Sequence, residues 1–248
     1  KYPKTYSISE FYDNLLYELK VAKHVKNTKH SVKVFGVGYR GEEESDMEVM
    51  IFMEKLNSNG DLYDYIQKIG KWTPCYKCNG ILIPQPKADY VYYNEDDNIY
   101  WCYELSTKQK IKITKSLIHA VMELHSKGVI HGDIKTDNVV LHYSNKKQTI
   151  KLVDFGMSYF INKGEKTIKI DCKCGTPGYR APEQDHYELC YGSDIYSIGV
   201  TIIELWNGDI WCNGEHFKEC RKEVFNGLKK IEKNHSKFGQ LLRKSISL

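Results

Sequence analysis

Val129-Ile130-His131-Gly132-Asp133-Ile134-Lys135-Thr136-Asp137-Asn138 runs from an apolar pair into a segment dense with polar groups, and Asp154-Phe155-Gly156 begins sixteen residues after Asn138. Both follow apolar runs and read as loops. Together they offer the carboxylates of Asp133 and Asp154, the amide of Asn138 and the ammonium of Lys135. Oxygen donors of this kind suit a hard divalent cation. Lys135 lies two residues past Asp133, so in an extended loop its ammonium projects to the same side as that carboxylate.

Moving a phosphoryl group asks for this combination. A carboxylate orients the acceptor hydroxyl, oxygen ligands hold magnesium on the phosphates, and a cation neutralises charge on the transferred group. Taken singly, the pieces are ordinary: His-x-Asp is a common tripeptide and Asp-Phe-Gly is a turn after a strand. In this order and spacing the first segment resembles the catalytic loop of eukaryotic-type protein kinases, H-x-D-x-K-x-x-N. The triplet resembles their D-F-G motif, and Ala181-Pro182-Glu183 resembles A-P-E. The resemblance implies ATP and Mg2+, with Asp133 accepting the hydroxyl proton, Lys135 stabilising the phosphate, and Asn138 and Asp154 holding the metal.

Length and charge bound the alternatives. A chain of 248 residues suits one or two domains. Its net charge of +4 is mild and its basic residues are interspersed with acids, which does not suggest nucleic-acid binding. Among 36 basic residues only Arg40, Arg180, Arg221 and Arg243 are arginine, so phosphate recognition falls mainly to lysine as a point charge. Eight cysteines without a secretory signal point to free thiols in a reducing compartment. No apolar run reaches membrane-spanning length, so no membrane association is expected and an intracellular, cytoplasmic location is. The chain opens at Lys1 and not at Met, which leaves room for a removed targeting segment.

From the start of the chain, residues 7–26 show helical spacing, with Phe11, Leu15, Leu19 and Ala22 on one stripe and Ser9 as a cap. In the kinase pattern Glu18 of this helix pairs with a strand lysine that contacts the ATP phosphates. Lys1 falls where that lysine is expected and Lys4 just outside. No G-x-G-x-x-G loop lies ahead of this helix, where the kinase pattern places it, so either the first strands precede this chain or the nucleotide site lacks its usual roof. Residues 31–38 and 48–52 read as antiparallel strands around an acidic turn at 42–46. The segment Met53-Glu54-Lys55-Leu56 then resembles the kinase hinge, where backbone groups of Glu54 and Leu56 meet adenine. Gly60-Asp61-Leu62 starts a short helix, and Asp61 is placed either to meet the ribose or to cap that helix.

Residues 71–104 depart from the kinase pattern and read as an insertion with a hairpin around 90–93 and 99–102, offering a docking surface for a partner. Cys75 and Cys78 have zinc-knuckle spacing and Cys102 adds a third thiolate. A structural zinc site wants four ligands, and no further Cys or His lies in the insertion, so free thiols are the favoured reading.

Residues 106–127 read as a long helix with Ile111, Ile113, Leu117, Ile118, Val121, Met122 and Leu124 inward, stopped at Lys127-Gly128. Two strand-like runs, 139–141 and 150–153, follow the catalytic loop, and Val140 forms the apolar floor under adenine by resemblance. The activation segment runs from Asp154 to Glu183, with a middle at 162–166 of little apolar content that is expected to be mobile, and with Thr167 and Thr176 as its only threonines. Residues 175–180 resemble the peptide-positioning loop of serine/threonine kinases, in which the Thr176 hydroxyl bonds Asp133 and Lys135. Gly132 stands where many kinases carry the arginine that pairs with an activation-loop phosphate, so weak or no dependence on that phosphate is expected. Residues 193–205 resemble the central helix of the large lobe, where Asp194 accepts backbone N–H bonds from the catalytic loop. The chain stops at Leu248, before the family's usual terminal Asp and Arg, so by this resemblance Glu183 is expected to lack its customary arginine partner.

The expected fold is α+β and kinase-like. Residues 1–56 form a curtailed small lobe with a hinge at 53–56, and residues 57–248 a mainly helical large lobe carrying the 71–104 insertion. The expected activity is transfer of the ATP γ-phosphoryl group to Ser or Thr of a protein substrate. The alternatives are a kinase-like binding module without transfer and, more weakly, a small-molecule kinase.

Overall fold

Apolar residues at helical spacing near the start of the chain fold as α1 (Ile8–Val25), which buries Leu19, Val21, Ala22 and Val25. Ser9 lies within its first turn and does not cap it. The structure is a computed structural model that describes residues 8–40, 48–58, 61–64, 66, 73–78, 81–83, 90–94, 99–103, 106–144, 147–207 and 217–247. Side chains are described for these except at 8–12, 39, 48, 49, 64, 147, 217–220 and in the strands between 73 and 103. Lys1, Lys4, the acidic turn at 42–46, Gly60 and the Phe11 side chain therefore lie outside the described set.

The two runs after α1 form β1 (Val34–Arg40) and β2 (Glu48–Met53), paired antiparallel as expected. Met53, expected to open the hinge, closes β2. A short helix follows where one is expected, described as α2 over Leu62–Asp64. Among the described residues the insertion holds four strands, β3 (Thr73–Cys78), β4 (Ile81–Ile83), β5 (Tyr90–Asn94) and β6 (Ile99–Tyr103), in the order β4-β3-β6-β5. Its β5–β6 hairpin was legible from alternation; β3–β4 goes beyond it. Cys75 and Cys78 share β3 and Cys102 sits on β6, with the thiols outside the described side chains.

Helix α3 (Thr107–Ser126) starts at a capping box between Ser106 and Gln109 and stops before Gly128, whose φ of +70° is the left-handed turn glycine allows. It buries Ile113, Leu117, Val121 and Leu124, whereas Ile111, Ile118 and Met122 are 42%, 42% and 62% exposed. The inward face is narrower than hydrophobicity suggests. Those three lie about a third of a turn from the buried row.

Beyond α3, β7 (Val129–Ile130) pairs with β10 (Tyr159–Phe160), and β8 (Val139–Ser144) with β9 (Lys147–Leu152). In the activation segment β11 (Ile168–Lys169) pairs with β12 (Glu188–Leu189). Helices α4 (Tyr191–Asn207), α5 (Phe217–Asn234) and α6 (Ser236–Ser245) complete an α+β arrangement. One apolar core joins α1, α3, β8, β9, α4 and α5, with α4 nearly enclosed. The loop at 131–138 hangs between β7 and β8, whose Val129, Ile130 and Val139 are fully buried. Each such side chain contributes roughly 1.5–3 kcal/mol, so both ends of the loop are anchored. Among the described residues, no helix is long and apolar enough to cross a membrane.

Candidate active site

The first turn of α4 reaches the loop through Asp194, a carboxylate 1% exposed. Its Oδ2 accepts from the His131 amide at 2.9 Å and contacts His125 Nε2 at 2.7 Å, while Oδ1 accepts from the Gly132 amide at 3.0 Å. The loop backbone is thus held from below. His131 packs beneath Phe155, with ring centroids 5.4 Å apart, and its Nε2 lies 3.2 Å from the Val153 carbonyl. That contact joins the two motifs. Gly132 has φ +79°, and a Cβ there would fall well inside contact distance of the Met157 carbonyl oxygen. An arginine at this position needs the backbone after Gly156 to move.

Asp133, held this way, is surrounded by donors. Its Oδ1 accepts from both the amide and the hydroxyl of Thr176 at 2.7 Å, and its Oδ2 accepts from Asn138 Nδ2 at 3.2 Å, with Lys135 Nζ 3.3 Å away. Lys135 Nζ also donates to Thr176 Oγ1 at 2.8 Å. The hydroxyl therefore receives from the lysine and gives to the aspartate, the arrangement expected for Thr176. Asn138 Nδ2 donates a second bond, 2.8 Å, to the Asp133 carbonyl, so its amide oxygen is turned away from Asp133.

Asp154 adopts φ +62°, a left-handed conformation that costs a non-glycine residue roughly 1–3 kcal/mol and tends to persist at working sites. Its exposed carboxylate accepts from the Gly156 amide at 3.2 Å. A cleft of about 650 Å3 opens beside it, lined by Glu18, Glu54, Leu56, Asp61 and Val140 as well as Asp154. These are the expected nucleotide-side residues except Lys1, which is outside the described set. Met53 and Val153 add apolar walls, and Asp61 forms an isolated bridge with Val140. The Glu54 amide donates to the Lys33 carbonyl at 2.8 Å, so this N–H is already engaged by the strand before it.

Burial, and then the charge of Asp154, raise the Glu18 carboxyl above its ordinary range. Two carboxylates in one cleft favour a cation between them. The donor set fits magnesium, which takes one or two protein carboxylates and completes its shell from phosphates and water. Among the described residues, no group of three or more His, Cys, Asp and Glu is arranged to hold a metal alone.

Three contacts escape sequence reasoning. Lys151 on β9 is buried and donates to Glu54 Oε1 at 2.9 Å and to the Ser31 carbonyl at 3.0 Å. Burial works to raise the Glu54 carboxyl, but bonds from Lys151 and the Lys33 amide outweigh it and hold it below its usual range. Glu183 accepts from Ser193 Oγ at 2.7 Å, which ties the residue to the first turn of α4. Tyr179 OH donates to the buried Glu204 and sits 3.1 Å from Thr136 Oγ1, fastening the segment after Thr176 to α4.

The chain matches the family described as the protein kinase domain over residues 1–247. It is 30% identical over 82% of its length to a probable serine/threonine-protein kinase of Encephalitozoon cuniculi, of which it covers 38%. It is 28% identical over 92% of its length to the probable serine/threonine-protein kinase fnkE of Dictyostelium discoideum, of which it covers 15%. With the human phosphorylase b kinase gamma catalytic chain, liver/testis isoform, identity is 37% over 42% of this chain and 26% of that protein. The chain thus spans less than two fifths of the length of these relatives. With its family matched over nearly every residue, the chain belongs to the protein kinase domain family.

Proposed function

We propose that this domain is a serine/threonine protein kinase that moves the γ-phosphoryl group of ATP, accompanied by Mg2+, to a protein hydroxyl. The observation that carries the reading is the closed set of bonds among Asp133, Lys135 and Thr176. A carboxylate fixed by surrounding donors keeps one orientation toward an incoming hydroxyl. As the acceptor oxygen bonds to the γ-phosphorus and the bridging P–O bond to ADP breaks, the hydroxyl proton passes to Asp133. Lys135 offsets charge on the phosphoryl oxygens. Asn138 and Asp154 would hold magnesium, which supplies charge neutralisation on the phosphates. In this reading the cleft separates a small lobe, residues 1–56, from a large lobe, residues 57–248. Glu54, Leu56 and Val140 bracket adenine, Asp61 faces the ribose, Glu18 orders a phosphate-binding lysine for which Lys1 is the candidate, and Thr176 sets the acceptor as Ser or Thr.

The test is phosphate transfer from labelled ATP to a generic Ser/Thr protein by the domain and by Asp133→Asn. The substitution is expected to lower kcat roughly 10²–10⁴-fold. Equal background transfer by both proteins would instead favour a kinase-like binding module.

A further inference from the structure

One fully buried side chain at the end of the activation segment, just past Glu183, has no part in the chemistry above. Gln184, immediately after Ala181-Pro182-Glu183, is 0% exposed. Its Nε2 donates to the Gly132 carbonyl at 3.0 Å and to the Cys174 carbonyl at 3.3 Å, and its Oε1 accepts from the Ala181 amide at 2.8 Å. A single amide therefore joins the residue before Asp133 to the residue two before Thr176.

The surroundings leave no slack. At Gly175, where φ is +87°, a Cβ would lie 2.8 Å from Gln184 Nε2 and 2.9 Å from the Gly132 carbonyl oxygen. Three backbone strands and one side chain meet in a space that excludes a methyl group. A kinase with arginine at the Gly132 position can fasten its activation segment to the catalytic loop through guanidinium and phosphate. Here the same two segments are already fastened, by a neutral group at the same residue.

We propose that Gln184 is a positioning residue for phosphoryl transfer, a permanent uncharged tether that holds Thr176 against Asp133 without a phosphate. The inference rests on the kinase reading for its catalytic consequence, but the tether can be read separately. Gln184→Glu keeps the shape and replaces the donating group with oxygen facing two carbonyl oxygens. Gln184→Met removes the donor without adding charge and serves if the first variant does not fold. Three quantities are measured in each protein: kcat on a Ser/Thr peptide, the Kd of Mg-ADP, and backbone hydrogen exchange in residues 172–180.

The variants are expected to lose roughly tenfold to a hundredfold in kcat, the equivalent of one or two buried hydrogen bonds. The nucleotide Kd should stay within about twofold, because no residue lining the cleft has changed. Exchange at 172–180 should quicken. Unchanged kcat, or a joint fall of kcat and nucleotide affinity as for a merely structural residue, overturns the proposal. If the unaltered domain transfers no phosphate, the kinase reading fails while faster exchange in the variants still upholds the tether. Unchanged exchange overturns it in either case.

Discussion

Asp133 and Asp194 on one hand, and Asp154 and Glu18 on the other, are four carboxylates that their surroundings treat in opposite ways. The first two are enclosed and supplied with donors from Thr176, Asn138, Lys135, His125 and the His131 and Gly132 amides. The second two lie in the cleft, and the charge of Asp154 adds to burial in opposing ionisation of Glu18. The acceptor side is built before any ligand arrives, and the nucleotide side holds repulsion that a bound cation relieves. Damage to the first side should therefore cost stability and activity together. Relief on the second should separate them.

After Asp133 itself, the largest effect is expected at Asp194. Changing it to Asn keeps the shape but turns an NH2 group toward donors that need an acceptor. Removing one member of a buried charge network costs about 3–5 kcal/mol. For a domain of this size that lowers Tm by roughly 6–20 °C in a thermal melt. A catalytic loop displaced by about 1 Å also loses roughly a hundredfold in rate. Wild-type kcat in Asp194→Asn would show that the loop holds its geometry without this anchor.

This contrast explains what could be read before the fold was known. His131, Asp133, Lys135, Asn138 and Asp154 are legible because their chemistry is done by side chains at short, fixed spacing. Lys151 is a different case: in Ile150-Lys151-Leu152 it looks like an ordinary strand lysine, and its partner Glu54 lies 97 residues away. Gln184 and Ser193 were hidden for the same reason, since their partners become neighbours only through the fold. The excess of inward residues assigned to α3 has another cause. Ile111, Ile118 and Met122 are apolar, but position on the helix and not side-chain type decides burial.

A smaller effect, with the opposite sign in stability, is expected for Glu18→Gln. Because the Glu18 pKa is raised in the fold, the folded state holds more proton than the unfolded state just above the ordinary value of 4.5. Stability therefore falls as pH rises through that window, because the ionised carboxylate carries the penalty. Glutamine removes it, so Tm should rise as the melts are moved from pH 4.5 toward pH 7, relative to the unaltered domain. The gain should vanish in melts below pH 4.5, where the unaltered carboxyl is protonated. Phosphate transfer should fall in the same variant, at least roughly tenfold, because the cation side has lost a charge. A variant less stable at pH 7 would mean that Glu18 is satisfied in the unliganded fold, and the contrast between the two sides would not stand.

The smallest effect is expected at Thr167. It is exposed, next to a turn in which the Asn162 amide donates to Glu165 Oε2 at 3.0 Å and the Glu165 amide to the Asn162 carbonyl at 3.0 Å. A phosphate there gains little unless a guanidinium receives it. Gly132 supplies none, and the single arginine of the activation segment, Arg180, is engaged by Asp185 at 2.7 Å. Protein phosphorylated at Thr167, or carrying Thr167→Glu, should therefore keep kcat within about twofold of the unmodified domain. An increase of orders of magnitude would require a cation that Arg180 or a lysine has been freed to provide, and the Asp185 pair should then open. Asp185→Asn in the phosphorylated protein tests that route, since freeing Arg180 in advance should enlarge any response the phosphate produces.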